Sequence, residues 1–183
     1  MARRKVNINT LRLKKKRNEE ITCLTAYDFP TAHFADQAEI DMLLIGDSGG
    51  MTMMGQESTI SVTMDEMLMM AKSVVRGAKS TLIVGDMPFM SYQPSMELAI
   101  QNAGRFIKEG KVDAIKLEGG VEYIEQISGI IQSGIPVMGH LGLQPQSILI
   151  DSEYKIHGKD VSSALKIYKD ALALEKAGVF ALV

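Results

Sequence analysis

Six short apolar runs recur along this chain, at 21–24, 42–45, 82–84, 114–117, 136–138 and 179–183, separated by longer segments of helical period. Alternation of this kind is the pattern of βα units built around a parallel sheet. The runs are nearly continuous in apolar residues instead of alternating with polar ones, which predicts strands buried on both faces. Helices are predicted between them at 63–77, 95–109, 121–133 and 161–177. The first opens on Thr63-Met64-Asp65-Glu66, a capping box, and ends at Gly77. The second has Glu97 in its first turn and Gly110 beyond its end. The third carries Ile124, Ile127 and Ile131 on one stripe, and the fourth carries Val161, Leu165, Tyr168 and Leu172 at helical spacing before Gly178.

With 183 residues, 46% of them hydrophobic, the chain has the material for one α/β domain with a substantial core. Six strands are compatible with an open doubly wound sheet or with a (β/α)8 TIM-type barrel, and composition does not choose between them. A complete barrel takes about 250 residues. The chain ends inside the apolar run 179–183 with no helix behind it, so a barrel truncated after its sixth strand is the expected form.

The single cysteine, Cys23, rules out an intramolecular disulfide and fits a reducing cytosol. No apolar stretch approaches the ~20 residues of a membrane span, and the N-terminus lacks the apolar core of a secretory signal. A cytoplasmic protein is expected. The formal charge of −2 is unevenly spread: eight of the 20 Lys and Arg precede Glu19 with no acid among them, leaving 12 basic against 22 acidic residues, a net −10, in the remainder. Such a segment can be a nucleic-acid arm, a transit peptide or a solvated helix face. It carries no aromatics to stack bases, so a basic helical segment over residues 1–20 is expected to pack on the barrel through Ile8, Leu11 and Leu13.

Active sites of parallel α/β proteins gather where the strands end. Leu43-Leu44-Ile45-Gly46 leads into Asp47-Ser48, Leu82-Ile83-Val84-Gly85 into Asp86, and Ala114-Ile115-Lys116-Leu117 into Glu118. Three carboxylates converging on one rim repel one another unless a cation sits between them, and hard oxygen donors suit Mg²⁺. Lys116 lies two residues before Glu118 and so shares its strand face, which suits an anionic, oxygen-rich substrate. His140 ends the fifth run at the corresponding height. Gly77-Ala78-Lys79-Ser80 lacks the spacing of a phosphate-binding loop and follows a helix, and the methionine-rich stretch at 64–70 reads as core filling.

These residues carry a resemblance. Leu24-Thr25-Ala26-Tyr27-Asp28, Gly46-Asp47-Ser48, Arg76-Gly77-Ala78, the stretch 86–92, Lys116-Leu117-Glu118-Gly119-Gly120, the stretch 134–143 and Phe180-Ala181-Leu182-Val183 stand in an order that resembles the ketopantoate hydroxymethyltransferase family. The resemblance runs from about residue 5 onward and implies a (β/α)8 barrel of the phosphoenolpyruvate mutase and isocitrate lyase group, in a cytoplasmic homo-oligomer, a decamer in the family. It implies transfer of a hydroxymethyl group from 5,10-methylenetetrahydrofolate to 3-methyl-2-oxobutanoate, giving 2-dehydropantoate on the pantothenate pathway through an enolate that Mg²⁺ stabilises. By position, Asp47 and Asp86 become Mg²⁺ ligands, with Glu118 completing the shell directly or through water. Ser48 and Lys116 become contacts to the keto acid, with His140 close by. The family's general base is a glutamate beyond the 180–183 strand, outside this chain. Gly49 replaces the family's usual leucine, which is expected to loosen the loop beside the metal. The loop at 151–159 keeps Tyr154 and Lys155 but not the usual glycines, glutamine and arginine. Two alternatives remain: a catalytically incomplete fragment that keeps metal and keto-acid binding, or another Mg²⁺-dependent, enolate-forming lyase of the same barrel group.

Overall fold

The computed structural model describes residues 3–151 and 156–183. One sheet of six parallel strands runs through it: β1 (Cys23–Thr25), β2 (Met42–Ile45), β3 (Leu82–Asp86), β4 (Ala114–Glu118), β5 (Val137–His140) and β6 (Ala181–Leu182). Each strand pairs with the next in the chain and the order nowhere reverses. A doubly wound sheet reverses its order at a switch point, so sequential winding decides for the barrel type. The sheet curls into part of a barrel, and β1 and β6 do not pair with each other among the described residues.

The α-helices are α1 (Ile8–Lys16), α2 (Phe29–Gln37), α3 (Gly49–Met54), α4 (Met64–Gly77), α5 (Met96–Arg105), α6 (Ile124–Gln132), the single turn α7 (Ile148–Asp151) and α8 (Val161–Ala177). The capping box of α4 is present: Glu66 N–H donates to Thr63 Oγ1 at 3.2 Å, and Thr63 N–H donates to Glu66 Oε2 at 2.7 Å. A cap of this kind is worth about 1 kcal/mol.

Side chains alternate across the sheet, and the core divides accordingly. Leu43, Ile45, Ile83, Ile115, Leu117 and Val137 face the helices in one large cluster, covered by Met67 and Met70 of α4 and by Ile127 and Ile130 of α6. Met42, Leu82, Val84, Ala114 and Met138 belong to a second cluster on the concave face, with Leu11 of α1. On that face the columns of β3, β4 and β5 turn polar at the C-terminal ends of the strands. Val84 gives way to Asp86, Ala114 to Lys116 and Glu118, and Met138 to His140. Alternation alone thus carries four polar side chains to one rim.

The structure corrects several expectations. β1 is exposed at all three residues and Leu182 of β6 is 42% exposed, because each is an edge strand and the concave face beside them opens on a cavity of about 520 Å³. The apolar stripe of α8 faces away from the sheet: Val161 is 77% exposed and Tyr168 61%, while Asp170 and Leu174 are buried. Periodicity finds a stripe but not the side that meets the sheet. Helix 95–109 is α5 followed by a π turn, Phe106–Gly110, and α6 is preceded by a 3₁₀ turn, Val121–Tyr123. α2 and α3 are additional helices; α2 starts at an Asp28 cap with Pro30 in its first turn. In the basic segment Leu11 is buried but Leu13 is exposed, and Lys14 and Arg3 pair with Asp41 while Lys5 pairs with Asp113.

Candidate active site

Asp86 and Lys116 are register partners on β3 and β4, as Glu118 and His140 are on β4 and β5. Pairing in register sets neighbouring side chains side by side on one face. The Lys116 ammonium donates to Asp86 Oδ1 at 2.8 Å and to Oδ2 at 2.7 Å, and stands 3.7 Å from Glu118 Oε1. Glu118 Oε1 is in turn 3.4 Å from His140 Nδ1. Asp47 follows β2 one residue after Gly46, and its backbone N–H donates to Asp86 Oδ2 at 3.3 Å. Asp47, Asp86, Lys116 and Glu118 are all buried. The strand-end reading therefore brings together the four charged side chains it named, with His140 beside them.

Ser48 joins them from the N-cap position of α3. Its Oγ lies 2.9 Å from the Tyr27 hydroxyl. A Cβ at Gly46 would stand 2.8 Å from Ser48 Oγ, so glycine there lets the serine fold back over the strand end. Gly49 is buried, and a Cβ on it would meet Met70 Sδ at 2.6 Å and Tyr27 Cδ1 at 2.8 Å. The expected loosening is absent: Met70 and Tyr27 already occupy the space that a longer side chain would need. Tyr154 and Lys155 of the 151–159 loop lie outside the described residues.

Two residues that the sequence did not single out complete the rim. Tyr92 is buried, with its hydroxyl 2.9 Å from the Glu118 carbonyl oxygen and 3.0 Å from Gln146 Oε1. Gln146 sits on a 3₁₀ turn, Pro145–Ser147, beyond β5. Tyr92 was visible within the stretch 86–92, but nothing local names its partners. Gln146 had only Pro145 beside it as a turn signal.

Three buried carboxylates share one lysine, and the site is short of positive charge. Burial, reinforced by the neighbouring Asp86 charge, pushes the Asp47 carboxyl up to about 7. Burial likewise raises Asp86 against the pull of Lys116. Burial pulls the Lys116 ammonium down, but the facing Asp86 and Glu118 outweigh it and hold the lysine above its ordinary value, protonated. Burial also lifts the Tyr92 phenol well above its usual range, and the Glu118 and Asp86 charges add to the lift. At the rim two buried polar atoms, Glu118 Oε1 and His140 Nδ1, have no hydrogen-bond partner among the described residues.

Among the described residues no three His, Cys, Asp or Glu side chains are close enough to hold one ion together, so no ready-made three-carboxylate cage is present. The neighbouring Asp47 and Asp86 carboxylates are what the chain offers. Mg²⁺ is commonly held by one or two carboxylates with waters and substrate oxygens, and the all-oxygen donor set and surplus negative charge fit it.

The family model of ketopantoate hydroxymethyltransferase matches residues 5–183. The 3-methyl-2-oxobutanoate hydroxymethyltransferase of Carboxydothermus hydrogenoformans is 50% identical over 179 residues, covering 98% of this chain and 65% of the relative. That of Clostridium kluyveri is 51% identical, covering 98% and 64%. The chain therefore spans somewhat less than two thirds of the length of these relatives. Among solved structures, 2,3-dimethylmalate lyase, a member of the phosphoenolpyruvate mutase and isocitrate lyase superfamily, aligns with a TM-score of 0.65 at 17% identity over 94% of this chain and 60% of its own. A phosphonopyruvate hydrolase solved with oxalate and Mg²⁺ aligns with a TM-score of 0.68 at 14% identity over 97% and 62%. Those likenesses establish the barrel-type fold. With a family model covering nearly all of the sequence and half-identical relatives along the same span, the chain belongs to the ketopantoate hydroxymethyltransferase family.

Proposed function

We propose that this chain carries the metal- and keto-acid-binding rim of a 3-methyl-2-oxobutanoate hydroxymethyltransferase. The reaction moves a hydroxymethyl group from 5,10-methylenetetrahydrofolate to C3 of 3-methyl-2-oxobutanoate and yields 2-dehydropantoate. The observation that supports this reading is the rim itself: three buried carboxylates around one lysine, with Glu118 Oε1 and His140 Nδ1 without hydrogen-bond partners among the described residues.

Asp47 and Asp86 would hold Mg²⁺, with Glu118 reaching it directly or through water. When bound, the ion supplies Lewis-acid stabilisation of negative charge growing on the keto oxygen. Lys116 is kept protonated in a buried setting, where a cation orients an anionic substrate far more firmly than it does in water. The Ser48 hydroxyl, steadied by Tyr27, provides a directed contact to a substrate oxygen. Buried polar atoms without partners are rare, and Glu118 Oε1, an acceptor, needs a donor that the keto acid's oxygens cannot supply; a water brought in by the bound ion would supply it. The base that takes the C3 proton belongs to the glutamate that the family places beyond the 180–183 strand. Loss of that proton leaves the electron pair on C3, which forms the new carbon–carbon bond to the folate methylene carbon as one of that carbon's two bonds to folate nitrogen breaks; water then displaces the second nitrogen, supplies the hydroxyl of the product and releases tetrahydrofolate. The substrates are small molecules, and neither nucleic acid nor membrane enters the reading.

Calorimetric titration of 3-methyl-2-oxobutanoate into the chain tests it. Binding is expected to require Mg²⁺ and to be lost in Asp47→Asn, and equal binding with and without the ion overturns the assignment. In a chain extended through that glutamate, formation of 2-dehydropantoate is expected to depend on the folate; folate-independent cleavage of a carbon–carbon bond would favour a lyase instead.

A further inference from the structure

Gln146 reaches more of the rim than any strand residue does. Both hydrogens of its side-chain amide are committed, one to Asp47 Oδ2 at 2.9 Å and one to the Met87 carbonyl oxygen at 2.9 Å. Its Oε1 faces two donors, the Tyr92 hydroxyl at 3.0 Å and Gln93 Nε2 at 3.3 Å. Its backbone N–H donates to Glu118 Oε2 at 3.1 Å. The chemistry fixes the amide's orientation, since the flipped form would set Oε1 against a carboxylate and a carbonyl and set the NH₂ group against another NH₂. One residue from the turn after β5 thus ties the ends of β2, β3 and β4 together, and it is 5% exposed.

The consequence concerns which carboxylate oxygens are presented. A carboxylate free to spin about its last bond shows a ligand either oxygen in any plane. Gln146 takes Oδ2 of Asp47 and Oε2 of Glu118, which pins both planes and turns the other oxygen of each toward the remaining space. For Glu118 that oxygen is Oε1, the buried acceptor that receives no hydrogen bond among the described residues. The one hydrogen of the Tyr92 hydroxyl is shared between the Gln146 carbonyl at 3.0 Å and the Glu118 carbonyl oxygen at 2.9 Å, and the Tyr92 ring is fixed by an edge-on contact with Tyr123 at 5.4 Å between centroids. The orientation of Asp47 therefore rests on a relay from Tyr123 through Tyr92 and Gln146.

We infer that Gln146 is a positioning residue that orients the Asp47 and Glu118 carboxylates for a divalent cation and sets the affinity of the site for it. The inference rests on the cation-binding reading of the rim proposed above. Groups that orient metal ligands from behind typically change affinity 10- to 100-fold when removed.

The test is binding of Mn²⁺ alone, followed by the electron paramagnetic resonance signal of the free ion, on the parent chain, Gln146→Met and Gln146→Glu, with a thermal melt of each. Methionine keeps the volume and removes the side chain's donors and acceptor, so Asp47 loses its contact while the backbone N–H still holds Glu118. Glutamate keeps the volume and an acceptor but sets an oxygen against Asp47. The expected result is a parent that binds Mn²⁺ and a Gln146→Met chain that melts cooperatively but binds about tenfold or more weakly. Tyr92→Phe, which frees only the amide's acceptor end, should give a smaller loss. A Gln146→Met chain that binds within twofold of the parent overturns the positioning role and leaves the cation site standing. A parent that binds no Mn²⁺ overturns the cation-site reading and this inference with it. If both Gln146 variants lose the cooperative melt, Gln146 is a structural residue and the inference falls.

Discussion

The two ends of this barrel segment are built from the same side chain and put it to opposite use. At the N-terminal end of the strands Asp36 accepts hydrogen bonds from the backbone of Lys79, Ser80 and Thr81 and from the hydroxyls of Ser80 and Thr81, at 2.8–3.1 Å. Asp41 holds Lys14, Arg3 and Thr22, and Asp113 holds Lys5 and the Ile83 N–H. Each carboxylate there has more donors than it has charge. At the C-terminal end Asp47, Asp86 and Glu118 share one lysine, and a Glu118 oxygen has no hydrogen-bond donor among the described residues. Burial raises both kinds of carboxyl, but at the base the donors outweigh it, taking Asp36 down to about 2, whereas at the rim burial wins and Asp47 goes up to about 7. Satisfied carboxylates hold a fold together. Undersupplied ones hold a site open for a ligand.

The strongest way to break the contrast is to remove the rim's lysine. Lys116→Met leaves three buried carboxylates with no cation facing them, and breaking a buried pair from one side costs about 3–5 kcal/mol. The urea midpoint should fall accordingly, and adding Mg²⁺ should restore part of the loss, since the ion replaces the missing charge. A variant as stable as the parent would mean that the rim does not need its lysine to be held together.

Much of that rim was legible because strand ends can be read from apolar runs, and the two-residue period places Lys116 and Glu118 on one face without knowledge of their neighbours. The same local rules found the cap of α4 at Thr63. What they missed depends on contacts far apart in sequence. Gln146 meets Asp47 across the sheet from a turn beyond β5, and no spacing rule connects those positions. The stripe on α8 is legible as a stripe, but spacing alone does not say which side of the helix is covered: Asp170 and Leu174 are buried and the stripe is exposed. Leu174 passes over β5 where Gly139 leaves room; a Cβ there would stand 2.9 Å from Leu174 Cδ1.

The base offers the complementary break. Asp36→Ala strips the acceptor from the Ser80 and Thr81 donors, both buried residues, and should lower stability by about 2–3 kcal/mol. If the two ends are independent in function, Mn²⁺ affinity at the rim should stay within twofold of the parent. A joint loss of stability and affinity would mean that the base sets the rim's geometry.

Gly49 sharpens the comparison from within the rim. The Met70 sulfur and the Tyr27 ring fill the space around it, and Tyr27 also holds Ser48. Gly49→Ala should therefore cost about 1–2 kcal/mol through overpacking, seen as a melting temperature a few degrees lower. Gly49→Ala combined with Met70→Ala should recover part of the overpacking loss relative to Met70→Ala alone. No recovery would place the strain on Tyr27 instead, and with it the contact to Ser48.

The smallest effect isolates the charge at the base. Asp36 has a folded-state value of about 2 against an ordinary aspartate value near 4, so its stabilisation is complete above about pH 4 and is lost as pH falls toward 2. A fully buried group shifted this far would contribute roughly 2 kcal/mol, but this carboxyl is partly open to water and about 1 kcal/mol is the fitting figure. The measurement is the gap in urea midpoint between the parent and Asp36→Ala, followed from pH 5 to pH 2. The gap should narrow by about 1 kcal/mol, because protonating the parent's Asp36 removes the charge that the alanine variant already lacks, while the bonds that a neutral carboxyl still accepts keep the gap from closing. A gap that stays constant over this range would show that neutral hydrogen bonding alone secures the base, and the opposition between the two ends would then be one of donor supply and not of charge.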